Sequence, residues 1–409
     1  MALRRILHLA DLHLGFAHSY LGARGPQRTE EAVQTLERVV DWALNSDNRI
    51  GAVLIAGDLF ETHQPESLLL GRVIHVLKQI PASGRTLVTV PGNHDEYSYP
   101  DSVYRQAPSW PGVLVTCPRL EPVATFDLAG TPCVVHSLAF TAGLSAKRMA
   151  APTPRLPVDQ APEAIDSPQT ATDAPRPGIH ETPMTGGQQP VAIALLHGTL
   201  DADPVDRTYR IDGRTLGEAG FAYAALGHIH KPAELRYSGG VAVYPGTLNG
   251  KGFDDPGVAE LTVVSFPSGR AHIERIPFPV RTVSARQVDL HRVEDQEQLI
   301  HALETDLDGE QIVRLVLEGP RPDDLDPGAL QGRLSGRAFH LEIEDASVRA
   351  SADDLERFEH QPTVRGLFVH LLRERMAAAR EAGDARAEEL LSQALARGLA
   401  TFETIARGR

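Results

Sequence analysis

A chain of 409 residues is too long for one small core and predicts two or three domains. Its 42% hydrophobic and 23% charged residues are those of a soluble globular protein, and a formal charge of −14 excludes a broadly basic chain that coats nucleic acid, though not a local Lys/Arg groove. Two cysteines, Cys117 and Cys133, make neither a zinc site by themselves nor a disulfide framework.

The chain opens with Arg5 to Ala10 (RILHLA), which reads as a strand; His8 and Asp11 break the apolar run, so a secretory leader is not expected. No run approaches a membrane span, and a cytoplasmic protein is expected. Asp11 and His13 follow at the strand's end. Two residues apart, they lie on the same side of an extended segment, where one ion could take both; the plainer alternative is a turn cap beside a solvated histidine. Thr29 to Asn45 carries apolar residues at helical spacing (Ala32, Leu36, Val39, Val40, Ala43), with Thr29 as its expected cap. Ala52 to Ala56 is a second buried-strand run closed by Gly57-Asp58, and a helix is expected over 66–79. Leu87 to Val90 is the third strand, stopped by Pro91-Gly92 and followed by Asn93, His94 and Asp95. Three strands with two helices between them form a β-α-β-α-β unit. Its polar turns share one edge, the strand ends where open α/β sheets hold ligands.

From Ala150 to Pro190 the chain is rich in Pro, Thr, Asp, Gln and Gly, and reads as a loosely held insertion between strands Cys133–His136 and Ala192–Leu196. The second of these ends in His197-Gly198, and Tyr223–Leu226 delivers Gly227-His228-Ile229-His230. Further strands are expected at Val241–Thr247, Ala259–Phe266 and Ala271–Ile276. Beyond Val280 the pattern changes to strand Thr282–Leu290, helix Asp295–Asp306, strand Ile312–Glu318, helix Asp326–Leu334 and strand Phe339–Val348, a small α+β layer. Thr363 to Arg407 predicts two amphipathic helices separated by Gly383-Asp384, whose apolar stripe either packs back on the body or docks a partner.

Five strand-end turns in succession carry Asp, Asn or His, a recurrence hard to ascribe to chance. Together they supply Asp11, His13, Asp58, Asn93, His197, His228 and His230: carboxylates, an amide oxygen and imidazoles, with no thiolate. That donor mix suits borderline divalent ions such as Mn²⁺, Fe²⁺ or Zn²⁺ more than Ca²⁺ or Mg²⁺. Seven donors exceed the needs of one such ion, whereas two ions about 3.5–4 Å apart, bridged by one carboxylate, would use them all and clamp a phosphoryl group. His94 stays outside that shell, placed to donate to a phosphate oxygen or protonate a leaving alkoxide.

DLHLG at 11–15, GDLFE at 57–61, GNHDE at 92–96, LHG at 196–198 and GHIH at 227–230 resemble, in this order, the D-x-H, G-D, G-N-H-D/E, H, G-H-x-H signature of calcineurin-like metallophosphoesterases. The resemblance spans residues 4–277. The opening, the GDLF turn with a following proline, and GHIHK with a later YPGT are similar to the SbcD/Mre11 DNA repair nucleases, including the YhaO-like bacterial branch. The resemblance implies an α/β fold, a two-sheet αββα sandwich whose second sheet the later strands extend, with a small α+β capping domain and C-terminal helices. The implied division is a nuclease domain at 1–279 carrying the 150–190 insertion, a capping domain at 280–350 and a helical, partner-binding region at 351–409. It assigns Asp11, His13 and His230 to one metal, Asn93, His197 and His228 to the other, and Asp58 to both, with Mn²⁺ as the expected ion. His94 takes the place of the catalytic histidine, and Asp95 that of a partner orienting it. Tyr244, Thr247, Asn249 and Lys251 become candidates for the DNA-side wall. The implied partners are DNA, an SbcC/Rad50-like coiled-coil ATPase and a second copy of the chain. One departure is Glu61, where some members carry a histidine involved with duplex ends. Beside a two-metal DNA phosphodiesterase stand two alternatives, an enzyme of small phosphoesters and a non-catalytic DNA-end scaffold; the complete ligand set speaks against the last.

Overall fold

The computed structural model describes residues 4–107, 109–141, 189–202, 208–290, 293, 295–319, 321–322, 325–347 and 352–406. The insertion expected at 150–190 lies outside them as far as residue 188. The chain divides into two compact units, Met1–Val280 and Arg281–Arg409.

The first unit begins with β1 (Arg5–Leu9), α1 (Gly25–Leu44), β2 (Ile50–Ala56), α2 (Ser67–Ala82), β3 (Thr86–Val90), α3 (Val103–Gln106) and β4 (Val113–Leu114). It continues through β5 (Glu121–Asp127), β6 (Pro132–Ser137), β7 (Val191–His197), β8 (Thr199–Leu200), β9 (Arg210–Ile211), α4 (Gly213–Glu218), β10 (Tyr223–Gly227), β11 (Ala233–Tyr237), β12 (Gly240–Tyr244), β13 (Glu260–Ser265) and β14 (His272–Pro277). One sheet has the order β14-β13-β1-β2-β3-β4 and the other β11-β12-β10-β7-β6-β5. In the first, β1 to β4 run parallel; in the second, β12, β10, β7 and β6 do.

Alternation within the strands builds three apolar layers. Leu7, Val53, Ile55 and Leu87 face α1 and α2, packing with Val33, Leu36, Val40, Val73 and Leu77. Ile6, Leu54 and Val88 point the other way and meet Val135, Ile193, Leu195 and Val243 of the second sheet. The outer face of that sheet is covered by Leu216 of α4 with Tyr209 and Phe221. Layers of helix, sheet, sheet and helix follow, the α/β sandwich expected from the motifs.

Two expectations are corrected. α1 starts at Gly25 rather than at a Thr29 cap, because Pro26 sits in its first turn with φ already helical; Thr29 is internal and its hydroxyl donates to Phe16 O at 2.8 Å. The strands expected at 259–266 and 271–276 do not extend the second sheet. β13 pairs antiparallel with β1, Leu7 opposite Val263, and β14 pairs with β13, so both belong to the first. β1 would otherwise have an unpaired edge, and β13 satisfies its backbone groups.

The second unit contains β15 (Val283–Asp289), α5 (Gln296–Asp306), β16 (Ile312–Glu318), α6 (Pro327–Leu334) and β17 (His340–Asp345), followed by α7 (Ala352–Glu359), α8 (Val364–Glu381) and α9 (Ala385–Ala406). Its three strands are parallel, so each connection must cross over, and α5 and α6 are the crossovers. α8 and α9 have a cluster of their own around Val369, Leu395 and Leu399. Val364, Leu367, Leu371 and Leu390 remain exposed.

Leu54 is wholly buried between the sheets of the first unit. Leu54→Ala should destabilise that unit by about 2–5 kcal/mol in urea unfolding, as cavity-forming leucine truncations do; an unchanged midpoint would contradict the layer assignment.

Candidate metal centre

Every predicted donor sits on a loop at, or on the last residue of, a parallel strand. Asp11 and His13 follow β1, Asp58 follows β2 and Asn93 follows β3; His197 ends β7, and His228 and His230 follow β10. Strands β1, β2 and β3 are neighbours in one sheet and β7 and β10 in the other, so the loops converge from both layers. The His228 amide donates to Asp11 Oδ1 at 2.9 Å, tying the two sheets together. Asp11 N and His13 N donate to Gly57 O and Asp58 O, at 3.1 and 3.0 Å.

The local backbone is held in unusual conformations. Asp11 (φ 53°), His13 (φ 43°), Asp58 (φ 49°) and His228 (φ 102°) all have positive φ, which side-chain-bearing residues rarely adopt unless the surroundings impose it. The glycines beside them are needed for space. Gly57 has φ 88°, and a Cβ there would collide with His197 Nδ1; a Cβ at Gly92 would collide with the Asp58 carboxylate.

Six of the seven predicted donors are brought together, whereas His228 Nε2 lies 3.4 Å from Thr208 Oγ1. His13 Nε2 lies 3.0 Å from His230 Nε2 and 3.7 Å from Asp58 Oδ2. His197 Nε2 lies 3.5 Å from the same Asp58 oxygen and 2.9 Å from Asn93 Oδ1. The His197 and His228 rings are 5.4 Å apart. Donor atoms of Asp11, His13 and His230 lie within 4.8 Å of one another, as do those of Asp11, Asp58 and His197, and those of His13, Asp58 and His94. Imidazole nitrogens turned on each other and on carboxylates are a donor set that fits divalent metal ions.

Charge explains the fit. Asp11 and Asp58 are almost completely buried. Burial pushes Asp11 up to about 6, with Asp58 adding to the rise. Burial opposes ionisation of Asp58 too, but His197, His13 and His94 outweigh it and hold that carboxyl below its usual range. Burial works against protonated His197, yet Asp58 and Asp11 raise it; His13 is lowered by burial.

His94 and Asp95 part company. His94 N donates to Asp58 Oδ1 at 2.9 Å, and its ring Nδ1 lies 3.1 Å from Glu61 O, with 37% of the side chain exposed. Asp95 does not orient it. That carboxylate is buried and accepts from Gly92 N at 2.8 Å, Phe60 N at 3.1 Å and Tyr104 OH at 2.7 Å, stapling the 57–61 and 92–95 turns together. The orienting acceptor is the Glu61 carbonyl, a backbone group that residue types do not announce.

The wall residues are also corrected in part. Tyr244 is turned inward, its OH donating to Gly198 O at 2.9 Å, and Thr247 Oγ1 donates to Asp11 O at 2.7 Å. Asn249 is buried, and Lys251 Nζ pairs with Glu61 Oε2 at 2.9 Å. Glu61 and Asp255 were not among the predicted site residues. Glu61 Oε2 lies 2.8 Å from His13 Nδ1 and Asp255 Oδ2 2.5 Å from His230 Nδ1. Glu61 stands at the end of the GDLFE motif and was legible as a neighbour of the site; Asp255, 25 positions after His230, carried no such signal.

A model of the calcineurin-like phosphoesterases matches residues 4–232, more than half of the chain and all the converging loops. The chain belongs to that family. The phosphoesterase is similar to SbcD of the nuclease SbcCD from Bacillus subtilis (strain 168), 27% identical over 282 residues that cover 65% of this chain and 67% of that one. It is 24% identical to SbcD of the nuclease SbcCD from Escherichia coli (strain K12) over 417 residues, 94% of this chain and 96% of that one. The DNA double-strand break repair protein Mre11 of Archaeoglobus fulgidus is 25% identical over 248 residues, 60% of this chain but only 50% of that relative.

Because a metal takes the ionised carboxylate and the neutral imidazole, proton and ion compete. The Asp11 carboxyl gains its proton as pH falls through about 6, and the raised His197 and His230 protonate in the same direction. Calorimetric Mn²⁺ affinity of the phosphoesterase should therefore drop by at least about tenfold per pH unit below that point, with protons released on binding. Affinity unchanged between pH 7 and pH 5 would contradict this.

Proposed function

We propose that the phosphoesterase is a DNA phosphodiesterase working with two divalent ions, Mn²⁺ foremost, in DNA repair. The observation that carries the reading is the convergence of His13, Asn93, His197 and His230, from two sheets, on the buried pair Asp11 and Asp58. Similarity to SbcD of the nuclease SbcCD over 94% of the chain supports DNA as the substrate rather than a small phosphoester.

In this reading Asp11, His13, Asp58 and His230 would hold one ion and Asp58, Asn93, His197 and His228 the other. Bound there, the pair would supply Lewis acidity toward a phosphoryl group and toward the attacking water. The protein's own residues do the rest. Asp58, facing His13 and His197 with one oxygen, fixes the spacing between the two positions. His94 is anchored by its Nδ1 to Glu61 O, leaving Nε2 to pass a proton to the leaving oxygen, and its exposure lets that proton exchange with water. Asp95 keeps the His94 loop against the Asp58 turn without touching the reaction.

The first unit is the catalytic domain. In the second, the parallel layer 283–345 serves as a capping domain and α8–α9 as the partner-binding element. The exposed Val364, Leu367, Leu371 and Leu390 suit docking of an SbcC/Rad50-like coiled-coil ATPase that controls access to DNA ends. A homodimer through the first unit and a cytoplasmic location belong to the same proposal; among the described residues no helix is long and apolar enough to cross a membrane.

The test is cleavage of single-stranded and end-blocked duplex DNA by the purified chain with Mn²⁺, Mg²⁺ or chelator, beside His94→Ala. Cleavage should require metal and fall about 10²–10⁴-fold in the variant while bound metal is retained. Turnover of an aryl phosphodiester with no DNA cleavage would overturn the substrate assignment, and undiminished cleavage in the variant would remove His94 from the mechanism.

A further inference from the structure

Outside the set of converging donors, the loops after β2 and β3 bring two rings together at the surface. His63 stacks on Tyr99, with ring centres 4.3 Å apart and planes 26° from parallel. Of the His63 side chain 32% is exposed, and of Tyr99 37%. The stack is held by backbone on both sides. Val103 N donates to His63 O at 2.7 Å, and Ser102 N donates to Tyr99 O at 3.1 Å, closing a turn whose second residue, Pro100, has its φ preset. Asp101, third in that turn, accepts from Gln64 Nε2 and lies 3.8 Å from His63 Nε2. A single exposed aromatic ring is ordinary. Two rings stacked in advance, on loops tied to each other, have already lost the freedom that an incoming flat group would otherwise have to remove.

Position gives the stack a use. His63 follows closely on Glu61, whose carbonyl holds His94 and whose carboxylate lies 2.8 Å from His13 Nδ1; the intervening chain spans at most about 7 Å. Tyr99 lies on the other loop, a short way beyond His94. On that same loop, Tyr97 carries the guanidinium of Arg105 at 4.4 Å from its ring centre, and Arg105 Nε donates to Tyr97 O at 2.7 Å. Arg105 is exposed, so positive charge stands next to flat apolar surface. Aromatic faces interleaved with a cation, at the rim of a site that reacts with a phosphodiester, match a nucleic-acid strand. Bases stack on aromatic faces whatever their sequence, and a guanidinium meets phosphate.

We propose that His63 and Tyr99 form a stacking platform for an unpaired base of the DNA strand that the metal centre cuts, with Arg105 beside it for a neighbouring phosphate. The inference rests on the reading of this chain as a DNA phosphodiesterase. It assigns to the surface beside Glu61 and His94 the task of seating the strand, which the buried donors do not perform.

The test is steady-state cleavage of a single-stranded oligonucleotide by the full chain with Mn²⁺, beside Tyr99→Ala, His63→Ala and Tyr99→Phe, with folding followed by circular dichroism and bound Mn²⁺ counted in each. Both alanine variants should raise KM by about 5–150-fold, the worth of one stacked base, with a far smaller change in kcat and no loss of metal. Tyr99→Phe keeps the ring and should stay close to wild type. Oligonucleotides carrying one abasic nucleotide at successive positions should reveal a position where the missing base raises KM for the wild-type chain and adds nothing in Tyr99→Ala. That series is read on the wild-type chain too, so it stands if a variant misfolds. Folded alanine variants with wild-type KM, a loss that Tyr99→Phe shares, or an abasic series with no such position would overturn the platform. Unchanged KM together with a shift from dimer to monomer would overturn it as well, placing the rings in a contact between copies. A wild-type chain that cuts no DNA would instead overturn the phosphodiesterase reading beneath it.

Discussion

Asp11 and Asp58 are carboxylates buried side by side, and an unpaired buried charge is among the costliest things a fold can contain. Asp11 answers by holding its proton up to about 6, Asp58 by drawing on the three histidines around it. No lysine or arginine is bonded to either carboxylate among the described residues. Two buried carboxylates facing several imidazole nitrogens are a set that divalent ions would complete. The positive φ values at Asp11, His13, Asp58 and His228 follow from the same demand. Ordinary strand exits would send these side chains outward; left-handed ones turn them onto a common centre, and the sandwich on either side holds the strain.

The donors were legible in the sequence because each is local to a strand end. An apolar run that ends in an Asp, Asn or His, in most cases with a glycine beside it, reveals both the strand and its turn, so the first three strands, the helices between them and the seven candidate donors could be read from neighbours in sequence. What depends on distant partners could not. β13 reads as a strand from its own residues, but that it pairs with β1 and not with the second sheet is decided by which edge lacks a partner. The family resemblance makes Asp95 the partner of His94, yet this fully buried carboxylate accepts instead from Gly92 N, Phe60 N and Tyr104 OH. The resemblance makes Tyr244 and Thr247 wall candidates, while their hydroxyls are taken up inside the fold.

The supporting groups divide into three kinds. Gly57 and Gly92 act by what they lack, since any side chain would occupy the space of His197 or Asp58. Ala56 O and Glu61 O act through the backbone, holding His197 and His94 by their Nδ1 atoms. Glu61 and Asp255 act through carboxylates, and so add charge as well as orientation.

The central claim is that two cations share Asp58 between the loops of the two sheets. Anomalous diffraction from crystals grown with Mn²⁺ tests it most directly. The account predicts two peaks about 3.5–4 Å apart with an Asp58 oxygen between them, one against His13 and His230 and the other against Asn93 and His197. A single peak, or ions bound away from Asp58, would contradict it.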